Sequence, residues 1–360
     1  TAPAREGAAP SRRGFLVGAG GATLGALVLG GVGQQVATSS ADPSNVTLPP
    51  PTDAAKPLPA GIEGKVKGVS PFRTPTADFY RVDTNLTVPQ VAKGSWSLQI
   101  DGDVKNPLTL TFDELAAMPL IERDITMTCV SNEIGGGYMG SARWLGVKLT
   151  DILDRAMVGT SADQVLSTAV DGFTISTPLD VVRDGRDAMV VIGMNGKPLS
   201  AEHGFPARLI TPGLYGFVGA TKWLTKLTLT TYAAQESYWT KRKWASDAPI
   251  KISSRVDTPR PLETIKPGRT AIGGVAWAQH RGIKGVEVKI DDAPWQPAML
   301  GPEAGVDYWR QWYLPWDATT GQHSVSVRAT DLTGAVQTEE RATPFPNGSS
   351  GIQQVVVIVS

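Results

Sequence analysis

Only one cysteine, Cys129, occurs among 360 residues, and this limits how the chain can be held together. An intrachain disulfide, a thiolate zinc site or a cysteine-ligated iron–sulfur cluster each needs two or more thiols, so none can form. Folding then rests on buried apolar cores, and at this length there is room for two domains with one each. The haem-attachment spacing of two cysteines and a histidine is absent, and three histidines (His203, His280, His323) all but exclude a histidine-rich metal site. A metal held by this chain would take most of its ligands from outside the polypeptide. The 34 basic residues are cancelled by 34 acidic ones. Without an excess of Lys and Arg, nucleic acid is not an expected partner.

Ser11-Arg12-Arg13-Gly14-Phe15-Leu16 is a twin-arginine type of export pattern, and the run from Gly14 to Ala41 carries no charge. That pathway moves folded proteins, as one loaded with a cofactor in the cytoplasm would require. The run exceeds the roughly 20 residues that cross a bilayer, so residues 14–36 are also read as an anchor. Residues 1–41 are therefore taken as a leader or membrane anchor, with the rest on the extracytoplasmic face of the cell membrane. A Gly-rich buried helix is the competing reading, weakened by up to ~1 kcal/mol per glycine. The first residue is Thr rather than Met, so further residues upstream are expected.

Residues 42–63 are Pro-rich (Pro49-Pro50-Pro51, Pro57, Pro59) and read as an extended tether. Residues 64–235 mix short strands and helices. Trp96 to Ile100 alternates as a strand, Thr111-x-x-Glu114 opens a short helix with a capping box, and Val147 to Arg155 reads as a helix. Ile125 to Cys129 alternates again, with Cys129 at the strand's end before Asn132 and Gly135-Gly136-Gly137. Residues 236–360 are strand-dominated and suggest an immunoglobulin-like sandwich. Trp277, Trp295, Trp309, Trp312 and Trp316 are taken as its core and packing. The expected fold class is α+β: a mixed first domain followed by an all-β sandwich.

A lone thiol is ordinarily a small buried hydrophobe. Here it meets a strand-to-loop junction with Arg143-Trp144 downstream, which leaves it open as nucleophile or ligand. A second constellation runs from Asn195-Gly196-Lys197-Pro198-Leu199 through His203-Gly204-Phe205-Pro206-Ala207-Arg208 to Thr221-Lys222-Trp223. Turn residues alternate there with His, Arg and Lys, as a phosphorylated, hydrogen-bonding cofactor requires. Solvated surface loops are the alternative.

These blocks, with Ser131-Asn132, Arg143-Trp144-Leu145-Gly146 and Met194-Asn195-Gly196, resemble in order the signature blocks of the sulfite oxidase family of molybdopterin enzymes, over about residues 65–345. The likeness is to an exported, membrane-associated, actinobacterial-like branch. It implies a molybdopterin-binding catalytic domain and a dimerisation-type sandwich, hence a homodimer. It implies that Cys129 coordinates molybdenum whose other sulfurs come from the pterin. By position, Tyr80, Arg81, Asp83, Asp171, His203, Arg208, Ala220, Thr221 and Lys222 would line the molybdenum–molybdopterin cofactor. Arg208 and Lys222 suit its phosphate, while Asp171 and His203 suit its nitrogens and oxygens. Cys129, Arg81 and Phe173 would act at the reacting centre.

Two departures bear on the reaction. The family's active-site tyrosine falls on Phe173, and the arginines expected after the metal-binding cysteine are replaced by Glu133-Ile134-Gly135. A dianion such as sulfite is held by positive charge, so sulfite is in doubt unless Arg81 or Arg143 compensates. The expected activity is oxygen-atom transfer on a small substrate: sulfite, another sulfur oxyanion or a sulfoxide. No haem or cluster motif occurs, so electrons would pass to a separate redox partner. A cofactor-free binding or adhesion module and a Cys-nucleophile hydrolase are the rival readings.

Overall fold

The computed structural model describes residues 42–360. The leader and anchor assigned to residues 1–41 lie outside them. Among the described residues, no helix is long and apolar enough to cross a membrane.

The first half is built from two sheets. One has the order β2-β1-β10-β5-β6, from Ser97–Gly102 (β1), Leu108–Thr111 (β2), Gln164–Ala169 (β5), Thr174–Pro178 (β6) and Leu224–Thr230 (β10). The other has the order β3-β4-β7-β8, from Leu120–Thr128 (β3), Met139–Lys148 (β4), Met189–Met194 (β7) and Lys197–Pro198 (β8), with Arg208–Ile210 (β9) also paired to β7. Helices are fewer and shorter than the expected mixture implied. The longest α-helix described is Leu149–Ala156, which starts two residues later than the sequence suggests because β4 continues to Lys148. It buries Leu149, Ile152, Leu153 and Ala156 on one face. Its three large apolar side chains contribute ~1.5–3 kcal/mol each on burial. Met157 ends it in the left-handed conformation at φ 56°. The capping box of Thr111 and Glu114 is present, starting the helix Phe112–Ala116.

In the second half, two sheets face each other across one core. Ser253–Thr258 (β11), Gly268–Trp277 (β13), Met299–Leu300 (β16) and Arg310–Ala318 (β17) form the first, in the order β11-β13-β17-β16. Thr264–Ile265 (β12), Ile283–Ile290 (β14), Gln296–Pro297 (β15), Gly321–Asp331 (β18) and Gln353–Val359 (β19) form the second, in the order β12-β19-β18-β14-β15. Ile272, Trp312 and Leu314 from one sheet meet Val288, Val327 and Val357 from the other. Trp277, Trp309, Trp312 and Trp316 are buried as expected of core residues; Trp295 is half-buried beneath Arg328.

Two stretches depart from the boundaries read in the sequence. Residues 42–63 are extended but are not a free tether. Thr52 and Asp53 donate their N–H groups to Leu120 O at 2.8 and 3.2 Å, and Asp53 pairs with Ile121 along the open edge of β3. Val46 and Leu48 pack against the first-half cores. The Pro-rich backbone has few donors, and those it keeps find acceptors on a strand edge instead of water. Residues 236–252, given to the sandwich by sequence, lie along the first domain. Tyr238 N donates to Thr174 O at 3.3 Å, Tyr215 N to Ala248 O at 3.1 Å, and Ile250 N to Gly213 O at 2.8 Å.

Candidate active site

Nine residue pairs of the β3–β4 hairpin bring the chain to Cys129, from Leu120↔Val147 to Thr128↔Met139. Cys129 N donates to Tyr138 O at 2.9 Å, and Asn132 N donates back to Cys129 O at 3.0 Å. Tyr138 N donates to Asn132 Oδ1 at 2.8 Å, so the loop holds its own shape. The thiol is buried and receives the Ser131 N–H at 3.4 Å. Burial pushes its pKa up, against the Ser131 and Val130 N–H groups. A nucleophilic cysteine needs the reverse shift, and His203, the histidine that lines the same cleft, hydrogen-bonds Thr76 O instead.

Cys129 opens onto a cleft of about 240 Å³. Tyr80, Asp83, His203, Arg208, Ala220 and Lys222 line one part of it. Arg208 is 5% exposed and meets no carboxylate: its Nη1 reaches His203 O at 3.3 Å, its Nε has no partner, and its guanidinium lies over Trp144 at 5.4 Å. Burial lowers its pKa to about 10. Lys222 is ion-paired with Asp83 and donates to Glu202 O at 2.9 Å. Burial lowers its pKa to about 8, with the Arg208 charge acting in the same direction. Burial likewise lowers that of His203, helped by the Arg208 and Lys222 charges, which favours the neutral ring at neutral pH.

Asp171 and Phe173 also line the cleft, joined there by Trp239 and Trp244, which sequence reasoning did not place in the site. Two residues named from sequence are not brought to it. Arg81 is half-exposed and pairs with Asp83 at 3.0 Å. Thr221 is buried with its hydroxyl on Ser167 Oγ at 2.6 Å, turned into the core. Arg143 does not compensate either, since Asp124 holds it at 2.6 Å and Glu122 at 3.5 Å.

Residues 85–239 match the family described as oxidoreductase molybdopterin binding domain. Human mitochondrial sulfite oxidase is 27% identical over 306 residues, covering 71% of this chain and 55% of that protein. The nitrate reductase [NADH] 1 of rice is 26% identical over 330 residues, covering 75% of this chain and 35% of the relative. The sulfane dehydrogenase SoxCD of Paracoccus pantotrophus shares the fold, with a TM-score of 0.70 at 24% identity over 80% of this chain and 83% of that one. Residues 85–239 form a molybdopterin-binding oxidoreductase domain of the sulfite oxidase type. The chain spans about half the length of the human sulfite oxidase it matches.

The molybdopterin-binding domain and the sulfite oxidase relatives imply molybdenum–molybdopterin as the cofactor, and the cleft suits it. A buried guanidinium without an anion is costly, and a phosphate would satisfy both its charge and its free Nε donor. Gly216 helps keep the wall open, since a Cβ there would find nothing nearer than Ala220 Cβ at 3.7 Å. A soft thiolate at Cys129 is a suitable ligand for a dithiolene-held metal. Asp83, His203 and Lys222 add hydrogen-bonding groups on the same side.

Proposed function

We propose that the chain catalyses oxygen-atom transfer on a small sulfur compound, either a sulfur oxyanion such as sulfite or a sulfoxide. Two electrons pass to or from a separate redox partner. The reading rests on one observation: the only thiol and a buried arginine lacking any carboxylate face the same cleft. When bound, the cofactor supplies two-electron redox chemistry and the site of oxygen transfer. Cys129 would hold the metal, Arg208 the phosphate, and Asp83, His203 and Lys222 the pterin, while the largely apolar remainder of the cleft limits water.

The Ser11 to Leu16 pattern and the uncharged run after it support export by the twin-arginine route, with residues 14–36 as an anchor on the extracytoplasmic side. Resemblance supports an immunoglobulin-like class for the sandwich and pairing of two copies through it.

Elemental analysis of the purified protein, with fluorescence detection of the oxidised pterin, tests the proposal. Close to one molybdenum and one pterin per chain are expected, with dye-linked turnover of a sulfur substrate. Protein from molybdenum-replete cells that carries neither would refute it.

A further inference from the structure

Trp239 and Trp244 line the cleft, and between them the chain presents Lys241, Arg242 and Lys243 to solvent. Glu236 and Asp247 flank this run in sequence, yet among the described residues none of its three cations has a carboxylate within ion-pair distance. The segment is held in place from several sides. The Arg242 guanidinium lies 3.5 Å from the centre of the Tyr238 ring and donates from Nη1 to Tyr238 O at 2.9 Å. Lys243 N donates to Thr240 O at 3.0 Å, and Ala245 N donates to Pro346 O of the sandwich at 3.2 Å. Three adjacent cations without a counter-charge do not stabilise the fold, but they draw a negative surface towards them.

Apolar side chains are exposed around the same mouth. Val82 lines the cleft and is half-exposed, and Val170 is half-exposed between Ala169 and Asp171, which both line it. Phe345, from the sandwich, is half-exposed with its ring edge-on to Trp244, the centroids 5.3 Å apart. Exposed apolar groups beside a rim of one charge sign are the makings of a protein–protein contact, in which aromatic residues and Arg serve as anchors. A small dissolved anion would make no use of them.

We propose that Lys241, Arg242 and Lys243, with Val82, Val170 and Phe345, form the docking surface for the redox partner, and that this partner is a small acidic one-electron protein. It rests on the oxidoreductase reading and adds the partner's charge and place of contact. Trp239 and Trp244 connect this surface to the cleft, so a docked partner stands against the wall of the cofactor site. Each encounter moves one electron between the loaded cleft and the partner's metal; one is oxidised as the other is reduced, and no bond forms or breaks. Two encounters match one two-electron turnover. Such a contact is brief, and its rate is set by charge steering.

The test uses holoenzyme whose molybdenum and pterin have been quantified, reduced with titanium(III) citrate and then freed of it. Stopped flow follows its reoxidation by an acidic plastocyanin and by a basic cytochrome c. Both rates are read relative to benzoquinone, a small uncharged oxidant that needs no docking surface. At low salt the plastocyanin rate should exceed the cytochrome c rate about a hundredfold, and it should fall as salt is added. The double variant Lys241→Gln/Lys243→Gln leaves the Arg242–Tyr238 contact in place. It should lower the plastocyanin rate about tenfold and weaken the binding of redox-inert zinc plastocyanin, read by calorimetry, by a similar factor. Phe345→Ser should weaken that binding without altering its salt dependence. Equal rates for the two proteins, a faster cytochrome c, or an unchanged zinc-plastocyanin affinity in the double variant overturns the proposal and leaves the cofactor assignment standing. Absence of molybdenum and pterin removes both.

Discussion

Gln279 donates from Nε2 to Thr128 Oγ1 at 3.0 Å, so the residue preceding Cys129 is held by the sandwich rather than by its own sheet alone. The same nitrogen reaches Thr126 O at 3.3 Å, and Trp309 N donates to Thr126 Oγ1 at 2.8 Å. Beyond the thiol, Arg255 Nη1 donates to Gly136 O at 2.8 Å and Ser349 Oγ to Asn132 O at 2.6 Å. The second domain thus grips the cysteine hairpin from both sides. Gln279→Ala should destabilise the protein by ~1–2 kcal/mol. It should also speed labelling of Cys129 by a thiol reagent in cofactor-free protein; chemical denaturation and labelling kinetics read the two effects.

Arg208→Met should yield folded protein with less than about a tenth of the normal molybdenum and pterin, because the phosphate loses its charge partner. Cofactor-free stability should stay level or rise, since the change removes a buried charge that has no carboxylate. Elemental analysis and thermal melts separate these outcomes. A large loss of stability with normal cofactor content would show that Arg208 acts on packing instead.

Lys222 gives a pH signature. Its folded-state pKa of about 8 lies below the ordinary 10.5, so between those values the unfolded chain binds more protons than the native one. Stability of the cofactor-free protein should therefore gain from this residue as pH rises from about 8 to 10.5. Denaturation curves across that range should slope upward more for the natural protein than for Lys222→Met.

Arg143 sits among Asp124, Glu122 and the Lys56 carbonyl, away from the cleft. Asp124→Asn should cost ~2 kcal/mol by weakening a charge-assisted bond, with molybdenum content and KM unchanged. A KM that moved would return Arg143 to the substrate's surroundings.

Much of this arrangement is legible in the residue pattern. Alternation from Ile125 to Met127 and the Gly-rich break after Asn132 point to a thiol at a strand end, where Cys129 follows β3 directly. The side chains of Arg81 and Thr221 stand outside the cleft for a common reason. In extended backbone, neighbouring side chains face opposite ways, so Tyr80 and Val82 enter the cleft while Arg81 turns to solvent. Thr221 likewise faces Ser167 while Ala220 and Lys222 face the cleft. Trp239 and Trp244 were hidden because their stretch has no periodicity and owes its place to partners far away in sequence, such as Thr174. Their bracketing of Lys241-Arg242-Lys243 was the one local sign.

The Thr52–Asp53 strap has a consequence for how copies of this protein behave when crowded together. β3 ends its sheet, and a bare strand there would offer a template for the strand of a neighbouring copy. With Thr52 and Asp53 on Leu120 and Glu122 N donating to Asp53 O at 2.9 Å, that template is filled by the chain itself. Protein lacking residues 42–55 should accordingly be prone to self-association, visible as larger species in light scattering.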